Sequence, residues 1–243
     1  MNKISLIIPV YNGAQVLSNT FAKILEFVKK IDVLGQIVFV DDGSTDNTLE
    51  LLTDFKNTNL NLPITVASYN ENKGKGFAIK FAGDYLNNGS DYVGFTDVEL
   101  PYGLESLPEV QTKLSKYDIV VGSREQNEEK QYSLYRSFMK KIFRLFIPKE
   151  VRGFKDTQCG FKFFRTEVFK SIFERVSTFR WVFDIELFLI ASMSQYSIYE
   201  LKVSIDKNLL KKKGGVSLLK HSFYILADLS KIRHNLQSKV YEK

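Results

Sequence analysis

Asp97 and Glu99 stand one residue apart at the end of the apolar run Tyr92-Val93-Gly94-Phe95, and Pro101 follows two residues later. On an extended segment, residues i and i+2 project to the same side. The spacing therefore predicts two carboxylates able to grip one ion. Hard oxygen ligands of this kind suit Mg2+ or Mn2+, which keep several waters and bridge to substrate phosphates. The carboxyl end of a strand is also where an open α/β sheet receives its ligand. A strand closing in an acidic turn would look the same, and the spacing alone does not separate the two.

Other candidate groups also follow apolar runs. Pro9-Val10-Tyr11-Asn12-Gly13 offers a turn whose Tyr11 could stack on a base. Asp41-Asp42-Gly43-Ser44-Thr45-Asp46 offers carboxylates that could accept hydrogen bonds from a pyrimidine or a ribose. Ser44 or Asp46 suits the cap of a following helix. Two adjacent carboxylates before a glycine exceed what a cap requires. Asn70-Glu71-Asn72-Lys73-Gly74-Lys75-Gly76 has glycines that let a backbone approach a phosphate, and lysines to neutralise it. It is neither a Walker loop nor a GxGxxG fingerprint. Arg124, after Gly122-Ser123, could clamp a phosphate bidentately or form a surface ion pair.

The elements that must carry these groups alternate. Ile4–Val10, Ile37–Val40, Ile64–Ala67 and the run ending at Asp97 read as strands. Helical patterns separate them, through Val16 to Val28, around Leu49 to Leu52, and from Phe77 to Leu86. Short apolar strands alternating with helices predict an α/β fold with a mostly parallel sheet covered on both faces. Further on, Asp118–Val121, Gly160–Phe164 and a stretch near 197–205 read as strands. Helices are expected at Tyr132–Phe146, Glu167–Phe173, Phe183–Met193 and from Ser217 onward.

The chain has 243 residues, enough for one large domain or a domain with an appended arm. Nowhere do about eighteen consecutive apolar residues occur, so no spanning helix is expected. The amino terminus enters a strand-like run without a signal-peptide pattern. The single cysteine, Cys159, excludes an internal disulfide and fits a reducing cytosol. A net charge of +6 suggests an anionic partner.

PVYN, DDGSTDNT, NKGKGFAI, TDVELP, VGSR and DTQCGFKFF occur together in that order, and the chain resembles family 2 glycosyltransferases of the GT-A fold over nearly its whole length. Asp156–Lys162 and Trp181-Val182-Phe183-Asp184-Ile185-Glu186 are similar to the polyprenyl-phosphate sugar transferases, the dolichyl-phosphate glucosyltransferase branch in particular. The resemblance implies a glycosyltransferase domain over 1–210, with a nucleotide-sugar half at 1–100 and an acceptor half at 101–210. A basic loop and helix would follow at 211–243. It also implies that Pro9, Tyr11, Asn12, Asp41 and Asp42 hold the nucleoside. Lys75 and Asp97 would lie at the diphosphate, Asp97 and Glu99 on a Mg2+ or Mn2+ ion, and Arg124 against phosphate. Gln158, Cys159, Gly160 and Trp181 would shape the acceptor side. The family usually carries aspartate where Glu99 stands.

The implied reaction is an inverting, metal-dependent transfer of a hexose to polyprenyl phosphate at the cytoplasmic face of a membrane. The expected donor is UDP-glucose, UDP being favoured over GDP by the branch. A phosphate oxygen is already anionic and attacks without a dedicated base. The alternative is transfer to a sugar hydroxyl in polysaccharide or glycoprotein glycan synthesis, which needs a general base. Asp184 and Glu186 are the candidates, unless they merely place charge at a helix start.

Membrane access would come from Tyr132–Phe146, where Tyr135, Phe138, Met139, Ile142 and Phe146 recur at helical spacing beside Arg136, Lys140 and Arg144. The same pattern also fits a core-packed helix with a solvated cationic side. Lys211-Lys212-Lys213-Gly214-Gly215 could be a loop closing on the donor or touching headgroups. Nucleic acid is not expected as a partner, since the basic residues form no recognition motif. A sugar-nucleotide-forming nucleotidyltransferase would open on a glycine-rich, arginine-containing loop, which PVYNGAQ is not.

Overall fold

The computed structural model describes residues 2–87, 89–124, 148–180, 182–206 and 218–242. The anticipated helix Tyr132–Phe146, the Lys211–Gly215 segment and Trp181 lie outside the described residues.

Seven strands form one sheet: β1 (Ile4–Val10), β2 (Leu34–Asp42), β3 (Ile64–Tyr69), β4 (Tyr92–Phe95), β5 (Ile119–Arg124), β6 (Lys162–Arg165) and β7 (Ile198–Val203). Their order is β3-β2-β1-β4-β6-β5-β7. Neighbours run parallel except at β6, which is antiparallel to both β4 and β5. The mostly parallel sheet is as expected from sequence.

Period-2 alternation divides the apolar residues between two layers. Ile4, Leu6, Ile8 and Phe39 pack with α1 (Ala14–Val28), α2 (Thr48–Thr58) and α4 (Leu107–Leu114). Ile7, Val38, Val40 and Phe95 pack on the other face with α3 (Lys75–Ala82), α5 (Thr166–Arg175), α6 (Phe183–Met193) and α7 (Leu218–Gln237). Both faces of β1 are closed, and all seven of its residues are buried. Each such Ile or Leu contributes roughly 1.5–3 kcal/mol of transfer free energy.

Some boundaries differ from those read in sequence. The helix after β3 ends at Ala82 and continues as a short 3-10 turn at Gly83–Tyr85. Gly122-Ser123-Arg124 is not a turn: it extends β5 in register with Leu201-Lys202-Val203. Helix α4 was not anticipated, although Leu107, Val110 and Leu114 give it a helical spacing and all three are buried. No helix among the described residues is long and apolar enough to cross a membrane.

The centre of the sheet depends on one close approach. Gly94 of β4 lies directly opposite Phe163 of β6, whose ring covers it so closely that a Cβ at position 94 would overlap the ring. Phe163 is fully buried among Phe161 and its neighbours, so it has little room to yield. Gly94→Ala is therefore expected to destabilise the protein by about 3 kcal/mol, the upper range for overpacking. Thermal unfolding checks this, and an unchanged midpoint would show that β4 and β6 can separate without cost.

Candidate functional site

The carboxyl ends of β1 and β2 are stitched together by their loops. The backbone N–H of Asn12 donates to Ser44 Oγ (2.8 Å), and Asn12 Oδ1 accepts from the backbone N–H of Thr45 (2.8 Å). Asn12 takes φ +47, a left-handed conformation that asparagine tolerates. Asp46 accepts from the backbone N–H of both Ala14 and Thr48, tying the starts of α1 and α2. Ser44 is therefore not the cap of α2 expected from sequence: its hydroxyl serves the first loop. Asn12 likewise joins two loops instead of presenting its amide oxygen to a ligand. Pro9 is buried as the next-to-last residue of β1, while Tyr11 just beyond is 50% exposed.

Asp41 and Asp42 are both buried and, being adjacent on a strand, face opposite ways. Asp42 accepts from Tyr69 Oη (2.7 Å), Asn72 Nδ2 (2.9 Å) and the backbone N–H groups of Lys73 (2.8 Å) and Gly74 (3.0 Å). Four donors occupy its two oxygens, so that its carboxylate shapes the Asn70–Gly76 loop. Gly43, at φ +68, permits that loop to pack down, because a Cβ there would strike the backbone of Glu71 and Asn72. Asp41 differs. Its Oδ1 is buried without a hydrogen-bond partner among the described residues, a costly state that a ligand donor would relieve.

Asp97 is the hub of the cleft. β4 ends at Phe95, and Asp97 to Leu100 form a turn closed by the Leu100 N–H to Asp97 C=O bond (2.9 Å). The two carboxylates therefore do not lie on an extended segment, and the same-side argument from their spacing does not apply. Pro101 disfavours helical backbone at the preceding residue, and Leu100 takes φ +50 with its side chain fully buried. The Lys75 ammonium at the start of α3 pairs with Asp97 Oδ1. Gly160 approaches from the other side, so close that a Cβ there would overlap the Asp97 carboxylate. The Glu99 carboxylate makes no hydrogen bond or ion pair among the described residues.

Two more ion pairs flank this hub. Arg124, at the end of β5, holds Asp156 through Nε (2.5 Å) and Nη2 (2.8 Å). Lys162, fully buried on β6, donates to the Cys159 C=O (2.5 Å) and to Asp184 Oδ1 (2.7 Å) at the start of α6. Phe95 and Phe188 present their rings to the same ammonium at 5.7 Å each. Lys162 is the member of this cluster that sequence reading passed over. Cys159 is buried and Gln158 exposed, its backbone N–H held by Asp156. The structure thus brings together Lys75, Asp97, Arg124, Asp156, Cys159, Gly160, Lys162 and Asp184.

Glu186 is excluded from that group. It is fully buried, and its carboxylate accepts from the backbone N–H and hydroxyl of Ser177 (3.0 and 2.7 Å) and of Thr178 (2.7 Å each). Tyr241 Oη donates a fifth bond (2.6 Å). Glu186 is an anchor, not a base: no lone pair is left for a substrate proton.

The charges shift one another in a consistent way. Desolvation pushes the Asp97 carboxyl up, but Lys75 foremost, then Lys162 and Arg124, outweigh it and hold it below the usual carboxylate range. Desolvation pulls the Lys75 ammonium down, and Asp97 with Asp184 more than restores it. The bond to Asp156 raises the Arg124 guanidinium further. Burial raises the Cys159 thiol, leaving it a poor nucleophile. A carboxylate lowered in the folded state stabilises the protein above its ordinary pKa, about 4, and that contribution disappears as pH falls through the folded value. Lys75 loses its contribution only at high pH. Lys75→Met is therefore expected to cost stability at pH 7, with the gap to wild type narrowing as pH drops below about 4. Urea unfolding between pH 7 and 3 measures this, and a gap independent of pH would contradict the pairing.

The model of glycosyl transferase family 2 matches residues 5–173. Dolichyl-phosphate beta-glucosyltransferase from Dictyostelium discoideum is 30% identical over 218 residues, covering 83% of this chain and 65% of the relative. A dolichyl-phosphate beta-glucosyltransferase from Trichomonas vaginalis is 32% identical over 233 residues, covering 88% and 70%. The chain thus spans about two thirds of the length of these curated relatives. Among solved structures, glucosyl-3-phosphoglycerate synthase from Mycobacterium tuberculosis, in complex with Mn2+, UDP and its product, superposes with a TM-score of 0.63. That match has 15% identity and covers 98% of this chain and 80% of the other, so it speaks to the GT-A-like fold alone. With most of its length under one family model and the ordered loops around Asp41, Asp97 and Asp184 in place, the chain belongs to glycosyl transferase family 2.

Proposed function

We propose that this chain transfers glucose from UDP-glucose to a polyprenyl phosphate, with inversion, at the cytoplasmic face of a membrane. One observation carries the choice of acceptor: each carboxylate that could serve as a base is already bonded within the protein. Asp184 is engaged by the buried Lys162 ammonium, and Glu186 lies under five donors. A hydroxyl acceptor needs its proton removed; a phosphate monoester does not. The names of the curated relatives, dolichyl-phosphate beta-glucosyltransferases, support the same reading.

In this mechanism Tyr11 stacks on the base, and the unpartnered oxygen of Asp41 accepts a hydrogen bond from base or ribose. The Asn70–Gly76 loop, held by Asp42, lies against the diphosphate. A phosphate oxygen of the acceptor attacks the anomeric carbon, and the bond to the diphosphate breaks on the opposite face, its electron pair leaving with the diphosphate. Lys75 stabilises the charge that develops there, and Arg124, its plane fixed by Asp156, faces the acceptor phosphate. No proton need be moved.

Asp97 and Glu99 are the residues that would hold a divalent cation. Both are hard oxygen donors, Asp97 borders the cleft, and the Glu99 carboxylate has no competing partner among the described residues. Two carboxylates are the usual protein contribution to such an ion. Bound there, Mg2+ or Mn2+ would neutralise the departing diphosphate. Membrane contact through Tyr132–Phe146 and the basic 211–213 run completes the proposal.

Purified protein, Mg2+ or Mn2+, labelled sugar nucleotides and polyprenyl phosphate provide the test, with label counted in the organic phase. Metal-dependent label from UDP-glucose is expected, reduced at least about 100-fold in Asp97→Ala. Asp184→Asn alone would strand the buried Lys162 ammonium, so the double variant Asp184→Asn with Lys162→Met, which removes both charges, is the comparison. It should retain activity within about tenfold of wild type, whereas loss of a general base would cost about 100- to 10,000-fold. Label appearing only in a soluble glycan acceptor, with the double variant inactive, would replace this reading by the hydroxyl transferase.

A further inference from the structure

The donor loop is gripped from two sides. Asp42 holds it from the sheet. The segment connecting α5 and α6 holds it from the other side. Phe179 C=O accepts from the Gly76 N–H (2.9 Å), and the Arg180 guanidinium donates to Asn72 Oδ1 (3.3 Å) and to the Asn72 C=O (3.1 Å). Gly74, at φ +98, has no room for a Cβ, which would lie 2.6 Å from Phe179 O. Phe179 also meets Phe77 edge-on at 5.5 Å.

Residues 176–180 have no regular structure of their own, so something else must fix them. Glu186 does so from beneath, through Ser177 and Thr178. The carboxyl-terminal part of the chain then closes the node. Tyr241 is buried, its hydroxyl donates to Glu186, and its C=O accepts from Arg175 Nη1 (2.9 Å). Asn235 Nδ2 donates to Ser177 Oγ (3.0 Å), and Lys231 Nζ to the Ser177 C=O (2.9 Å). A continuous run of bonds thus leads from Tyr241 through Glu186 and Ser177–Arg180 to Asn72 and Gly76.

We infer that Tyr241 and Glu186 are positioning residues for the donor diphosphate, so that the turn after α7 tunes affinity for the sugar nucleotide. The inference rests on the donor site proposed above. The low local dielectric strengthens such a buried network, and loss of one member is felt by the rest. Neither side chain touches substrate; each acts through the backbone of the 177–180 segment.

Tyr241→Phe removes one donor and keeps the ring in its packed place, and Ser177→Ala removes another at a different point of the same node. Both are to be compared with wild type in UDP binding, KM for donor and acceptor, and amide hydrogen exchange over 70–77. The expected result is faster exchange over 70–77, unchanged exchange in β1, and donor KM and UDP Kd raised about fivefold, the scale of one hydrogen bond to a charged group partly transmitted. Acceptor KM and kcat should stay within twofold. Equal changes in both KM values, or a lower melting temperature with exchange over 70–77 unaltered, would overturn the inference and leave a purely structural anchor. Wild-type protein that binds no nucleoside diphosphate would instead remove the donor site itself, and the inference with it.

Discussion

Charge neutrality at the carboxyl edge of the sheet governs how this molecule is built. Asp97, Asp156 and Asp184 converge on one cleft, and three cations, Lys75, Arg124 and Lys162, are delivered to match them from three different elements. Removing either member of such a pair from a partly desolvated site leaves an uncompensated charge, which costs far more than the pair contributes. The reversed direction of β6 meets part of this demand. Running antiparallel to β4, it sets Lys162 opposite Phe95 at the carboxyl end of that strand. The ammonium then rises beneath the cleft with an aromatic ring on either side.

Adjacent acidic residues take unlike duties because backbone geometry turns them apart. Along β2 the side chain direction alternates, so Asp41 and Asp42 cannot share a ligand. Asp42 organises the Asn70–Gly76 loop, and Asp41 keeps an oxygen without a partner among the described residues. Asp184 and Glu186 open α6 some 200° apart around the helix, so one faces the cleft and the other the interior. In both pairs the saturated carboxylate fixes a loop while its neighbour keeps fewer bonds.

Much of this could be read beforehand. The apolar runs of β1 to β3, the alternation with helices, and the clustering of polar groups beyond strand ends are direct expressions of periodicity. The limits of α6 also followed from composition. What remained illegible depended on tertiary partners. In Phe161-Lys162-Phe163-Phe164, alternation alone cannot reveal that the lysine faces inward, because only Asp184, distant in sequence, makes that position tolerable. Glu186 and Asp184 look interchangeable until Ser177, Thr178 and Tyr241 are seen to surround one of them. The turn at Asp97–Leu100 was hidden for a similar reason: a left-handed leucine is unfavourable locally and is held by its burial.

Gly160 and Asp97 sit backbone against carboxylate, so that a Cβ at position 160 would overlap the Asp97 oxygens. Any side chain at 160, and any longer acid at 97, would have to push the 156–160 loop away from the cleft. The missing side chain of one residue thus sets the size limit for the acid that faces it.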